Sequence, residues 1–207
     1  MEVGRDLELI KRIKALADTG LVYNQDGYNK ERYEELREIS LKLLSHVSQQ
    51  PLRVLEDFFM PEKDYPTVKV DVRGLVLNDA GEILLAKEQV DSKWTLPGGW
   101  ADIGYTPSEV VIKEIEEETG LQCTAERLLA VYDKRMHPHP PQPFYIYKLV
   151  FLCQLKGGML KHGFDMDGAA FFKVGELPEL SEDRILETQV KQLYNMVINK
   201  DVNVYFD

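Results

Sequence analysis

The sequence predicts an α+β fold in which a helical hairpin precedes a mixed β-sheet packed with helices on its faces. Three observations predict it. Apolar residues recur at helical spacing over the first fifty positions, the pattern switches to period two after Tyr65-Pro66, and one sharply delimited helix, Thr106 to Thr119, interrupts the strands.

Leu7, Leu9, Ile10, Ile13 and Leu16 mark a first amphipathic helix from Asp6 to Ala17, and a second runs from about Lys30 to Val47. Between them Gly20, Asn24, Asp26 and Gly27 supply turn chemistry over Thr19 to Asn29, and Gln49, Gln50 and Pro51 close the second helix. Residues 1–66 therefore form a helical module, and 67–207 the main domain. So short a helix pair cannot bury both apolar faces by itself. It is expected to pack on the main domain or on a second copy of the chain, which makes a homodimer the expected state.

In the main domain Val68, Val70, Val72 and Val76 share one strand face, and Asn78-Asp79-Ala80-Gly81 reads as a hairpin turn into a strand at Ile83 to Ala86. A loop with Trp94, Pro97, Gly98 and Gly99 leads to the Thr106–Thr119 helix. Thr106 caps it, Pro107 suits its first position, Glu109 completes a capping box and Gly120 ends it. Strands are predicted at 123–133, 144–155 and 169–173, and a final helix over about Glu182 to Asn199.

The chain has 207 residues, is 44% hydrophobic and carries a formal net charge of -10, which disfavours long nucleic acid and anionic membrane as partners. No apolar run is long enough to span a membrane and the first residues are polar, so a cytoplasmic protein is expected. Cys123 and Cys153 lie in apolar strand contexts and are read as buried free thiols.

On the central helix Glu114, Glu117 and Glu118 fall in a stripe roughly 100° wide, beside the apolar stripe of Val111, Ile112 and Ile115. Like charges at this spacing repel unless cations neutralise them, and hard carboxylate oxygens suit Mg²⁺ or Mn²⁺. A solvated acidic helix face would carry the same glutamates, so the surrounding pattern decides. Gly99, Glu114, Ile115, Glu117, Glu118, Gly120 and Leu121 resemble the Nudix box, G-x5-E-x7-R-E-U-x-E-E-x-G-U with U a bulky aliphatic residue. The preceding Trp94-Thr95-Leu96-Pro97-Gly98 is similar to that family's approach to the box. Tyr105 stands where the box has its first Glu, and Lys113 where it has Arg.

The resemblance implies a Nudix fold, a mixed β-sheet sandwiched between helices, and metal-dependent attack of water on a pyrophosphate. It implies Glu114, Glu117, Glu118 and the Gly98 carbonyl as metal ligands, with Glu114 also orienting the water and Asp165, in the loop 162–168, as an alternative base. Lys113 is expected to pair with a neighbouring carboxylate. Asp71 and Arg73, on the face opposite Val70 and Val72, are expected to line a cleft in which Arg73 clamps phosphate. The stiff basic run Lys134 to Pro141 places Arg135 and His137 near phosphate or nucleobase.

Leu16 to Leu21 and Asp26 to Tyr33 resemble the N-terminal helical module of a Nudix subgroup that includes CDP-choline pyrophosphatase. That likeness implies hydrolysis of a nucleoside diphosphate linked to another group, with CDP-choline giving CMP and phosphocholine as the leading reaction and ADP-ribose the nearest competitor. Two further readings stay open: cleavage at a short RNA 3′ end, and a non-catalytic nucleotide-binding domain.

Overall fold

A computed structural model describes residues 2–24, 26–59 and 65–207. The chain divides into two compact units, residues 1–68 with 141–144, and residues 69–140 with 145–207. The stretch 60–64, just before the expected boundary at 66, lies outside the described residues, as does Gln25 in the expected turn.

The first unit holds three helices: α1 (Glu2–Tyr23), α2 (Gly27–Ser48) and α3 (Leu52–Phe58). Two differences from expectation stand out. The turn expected from Thr19 shrinks to the few residues before Gly27, because α1 continues through Gly20, where a Cβ would stand 2.4 Å from the Tyr33 ring. Only a glycine lets α2 approach there. The second difference is α3, which Pro51 opens directly after the close of α2. Leu7, Ile10, Leu41, Leu44, Leu55 and Phe59 form this unit's core, and Phe144 joins it, with ring centroids 5.1 Å from Phe58 and 5.8 Å from Phe59.

The second unit contains two sheets. Strands β1 (Lys69–Val76), β4 (Gly98–Trp100), β5 (Leu121–Asp133), β6 (Ile146–Gly158) and β8 (Tyr205–Phe206) form a mixed sheet in the order β4-β1-β6-β5-β8, with β1–β6 and β5–β8 parallel. Strands β2 (Ile83–Glu88), β3 (Trp94–Thr95) and β7 (Met166–Phe172) form an antiparallel sheet in the order β3-β2-β7. The hairpin turn expected before Ile83 forms. Gly81 N–H donates to Asn78 O at 2.9 Å and Asn78 N–H to Glu82 O at 3.1 Å, and an antiparallel bridge joins Leu77 to Ile83 before the strands part into different sheets. Both edges of each strand are taken by other partners.

Two cores flank the mixed sheet. One contains Leu75, Leu85, Leu129, Val150, Val190 and Leu193 and covers α5 (Glu187–Ile198); the other contains Val72, Val76, Cys123 and Cys153 beneath α4 (Pro107–Thr119). Leu84 belongs to the second core while Ile83 and Leu85 belong to the first, so β2 is buried on both sides and reads as an unbroken apolar run. The last helix begins at Glu187 rather than near Glu182, because Ser181 O accepts from the Arg184 and Ile185 amides in a separate turn. Both cysteines are buried and free. Among the described residues no helix is long and apolar enough to cross a membrane.

Candidate active site

Helix α4 carries the glutamates and is held at both ends. Thr106 Oγ1 accepts from Glu109 N–H at 3.3 Å, and Glu109 Oε2 accepts from Thr106 N–H at 2.8 Å. Gly120, at φ +69°, donates its N–H to Glu116 O at 2.9 Å; a side chain there would meet Met159 O. Val110, Val111 and Ile115 drive one face into the core, which fixes the rotation of the helix and hence where Glu114, Glu117 and Glu118 point.

Glu118 is 4% exposed, and its Oε2 accepts from Gly98 N–H at 2.9 Å. Burial pushes its carboxyl up to about 8. Arg73 and the Gly98 amide oppose that shift, whereas the like charges of Glu114 and Glu88 reinforce it. The Glu114 carboxyl is also raised, chiefly by burial, with Lys113 opposing and Glu117 reinforcing. It lies against Gly99, where a Cβ would be 3.2 Å from its carboxyl carbon. At Gly98, φ +140°, a Cβ would fall 2.1 Å from Val72 O. The glycine pair thus clears a strip of bare backbone between β1 and the helix carboxylates.

Glu117 turns outward to Lys113 Nζ at 3.2 Å. The expected convergence of the three carboxylates is therefore incomplete, and among the described residues no three His, Cys, Asp or Glu side chains gather as a ligand set. Glu118 is withdrawn to the Gly98 amide and Glu117 is drawn off by lysine. The donors nonetheless fit a hard divalent cation: all are oxygen, and Glu118 is buried beside Glu114 and Glu88, like charges that raise its hold on a proton. Tyr105 stands half exposed just before the α4 cap. Lys113 meets Asp102 Oδ2 at 3.5 Å and Glu114 Oε1 at 3.9 Å, a grouping in which Asp102 was not anticipated.

Arg73 is 6% exposed. Its Nε donates to Asp71 Oδ1 at 2.9 Å and its Nη1 to Leu96 O at 3.1 Å. Asp71 also accepts from the buried Lys148 ammonium. Both side chains of the expected cleft-lining pair are buried and face each other, and Arg73 braces the loop ahead of β4 while lending positive charge to Glu118. Sequence reasoning also missed Lys148, Glu88 and Arg184. The last two form an ion pair at 2.5 Å, and Glu88 acts on Glu118 and Arg73.

Arg135 is held by the Asp133 carboxylate, with Nε at 3.1 Å from both oxygens, and lies over the Tyr145 ring. His137 Nε2 is 3.0 Å from Asp207 Oδ2, whereas His139 Nδ1 donates to Glu182 O at 2.6 Å, so the two imidazoles serve different anchors. Asp165 is exposed in the turn before β7. Its loop is tied to the last turn of α4, where Gly163 N–H donates to Glu118 O at 3.0 Å and Lys161 N–H to Thr119 O at 2.9 Å. Asp165 therefore stands at the Glu117–Glu118 end of the helix.

Comparison with known proteins adds independent support. Residues 5–59 match the family model of a UDP-X-like N-terminal oligomerisation domain, and residues 67–193 match that of the NUDIX domain. YjhB of Bacillus subtilis, provisionally described as an ADP-ribose pyrophosphatase, is 41% identical over 97% of this chain and 96% of its own length. An ADP-ribose pyrophosphatase of Methanocaldococcus jannaschii is 36% identical over 58% of this chain and 69% of its own. Among solved structures, a UDP-X diphosphatase superposes with a TM-score of 0.64 at 34% identity, covering 100% of both chains. With box glutamates seated on a paired-glycine strand and a domain match over 67–193, the chain belongs to the Nudix hydrolase family.

Proposed function

We propose that the protein hydrolyses the pyrophosphate bond of a nucleoside diphosphate linked to a second group, with Glu114, Glu117, Glu118 and the Gly98 carbonyl holding Mg²⁺ or Mn²⁺. The observation that carries this reading is the placement of Glu114 and Glu118 on the bare backbone of Gly98 and Gly99. When bound, the cation neutralises phosphate charge and acidifies water. The protein's own groups do the rest. Gly98 N–H holds the Glu118 carboxyl in place, Arg73 lends it positive charge, and Arg73 fixes Leu96 ahead of β4. Water attacks one phosphorus, the bridging P–O bond breaks, and two phosphate monoesters leave. The water proton passes to Glu114, against Gly99, or to Asp165, exposed in the turn before β7.

For the substrate, the names carried by relatives support ADP-ribose and UDP-linked compounds, and CDP-choline is the third member of the proposed set. The module 1–66 is read as the dimerisation element of a cytoplasmic enzyme with its hydrolase domain at 67–207, in keeping with the oligomerisation-domain match. The test is a panel of ADP-ribose, UDP-glucose, CDP-choline and a labelled RNA oligonucleotide, with Mg²⁺, Mn²⁺ or chelator, for wild type and Glu117→Gln. Metal-dependent release of a nucleoside monophosphate, lost on substitution, is expected. Inactivity of wild type on every member would leave a nucleotide-binding module instead, and cleavage confined to RNA would favour the 3′-end reading.

A further inference from the structure

We propose that Asp102 is a positioning residue for the glutamate face, retaining the Lys113 ammonium when Glu114 and Glu117 turn to a divalent cation. The inference rests on the metal reading above. Three carboxylates share one ammonium: Lys113 Nζ stands 3.2 Å from Glu117, 3.5 Å from Asp102 and 3.9 Å from Glu114. Two of these belong to the proposed ligands. The third sits on the loop ahead of the helix, outside the ligand set, where the Tyr105 side chain brings no negative charge.

The consequence follows from charge and tether. Lys113 is adjacent to Glu114 and one turn from Glu117, so its ammonium cannot leave their neighbourhood. A dication taken up by those glutamates both repels the ammonium and removes two of its countercharges. Asp102 faces Lys113 from the loop, close enough to Glu114 for their like charges to oppose each other, and it is the one of the three anions that is not a proposed ligand. With Asp102 in place, Lys113 can release Glu117 and Glu114 while keeping a partner. Without it, the ammonium competes with the incoming cation for the same oxygens. The loop acid and the helix lysine thus meet beside 105 and 113, the two positions at which this sequence departs from the box.

The experiment measures Mn²⁺ affinity of the metal-free full-length protein by calorimetry, beside turnover on the best panel substrate. Glu117→Gln serves as the control for the metal reading and is expected to weaken binding about tenfold. Asp102→Asn is expected to weaken it roughly threefold to fivefold, the scale of a partly exposed ion pair. The same change in a Lys113→Met background is expected to alter affinity by less than about twofold, and Tyr105→Glu to restore much of the loss. Unchanged affinity in Asp102→Asn alongside a weakened Glu117→Gln overturns the role of Asp102 and leaves the metal site standing. A loss that persists undiminished without Lys113 also overturns it, since Asp102 would then act on the cation directly. If Glu117→Gln and Glu118→Gln both bind as wild type, the metal reading falls and takes this inference with it.

Discussion

At the scale of single residues, the chemistry turns on a carboxyl that resists ionisation. Glu118 has its carboxyl raised from 4.5 to about 8 by burial, so in the metal-free protein its contribution to stability is fully present below the unfolded value and is lost as pH rises through about 8. Thermal melts in chelator should show that loss between about pH 5 and 9, and Glu118→Gln, whose neutral amide can still accept from Gly98 N–H, should remove it. The same substitution should cut turnover at least about tenfold, because an amide is a poor ligand for a hard cation. A variant with wild-type rates would remove Glu118 from the site. Burial moves His139 the other way, to about 4, which places a second loss of stability on the acid side, as pH falls from 6.5 through 4. His139→Gln should flatten that acid limb in the same melts. Fixed spacing along one helix is why the glutamates were legible in the sequence. Asp71 and Lys148 lie 77 positions apart, and no local pattern announces that strand pairing will bury them side by side.

At the scale of elements, local chemistry was readable where an element is self-contained. The α4 boundaries come from its own capping residues, and the sequence shows both ends. Thr106→Ala should destabilise the protein by about 1 kcal/mol, with a Tm lower by a few degrees, since it removes one half of the capping box. A Tm unchanged by that substitution would mean that core packing alone sets the helix start. Where an element exists only through its partner, the sequence is silent. Strands β3 and β8 have two residues each and are defined by what they pair with. The parting of β1 and β2 into different sheets is hidden for a related reason: the Asn78–Gly81 turn forms as the sequence predicts, but the neighbours that claim each strand come from other segments.

At the scale of the molecule, the helical unit carries apolar side chains its own core does not use. Leu36, Ile39 and Leu43 lie exposed along one stripe of α2, and Leu9 and Leu16 along α1. A second copy of the chain is the proposed cover. If the proposed dimer forms through this stripe, Ile39→Glu with Leu43→Glu should convert it to a monomer in analytical ultracentrifugation, because each charge would be buried unpaired in the interface. Persistence of the dimer would place the interface elsewhere.

The segment 141–144 belongs to the helical unit although its flanks belong to the other, and Phe144 completes a core begun by Leu7. During synthesis, then, the part made first must wait. Its helices emerge early, yet their core stays short of an aromatic ring until the ribosome has passed β5. No single cut of the chain separates the two units cleanly, and a nick beside Phe144 would loosen the core of the amino-terminal helices.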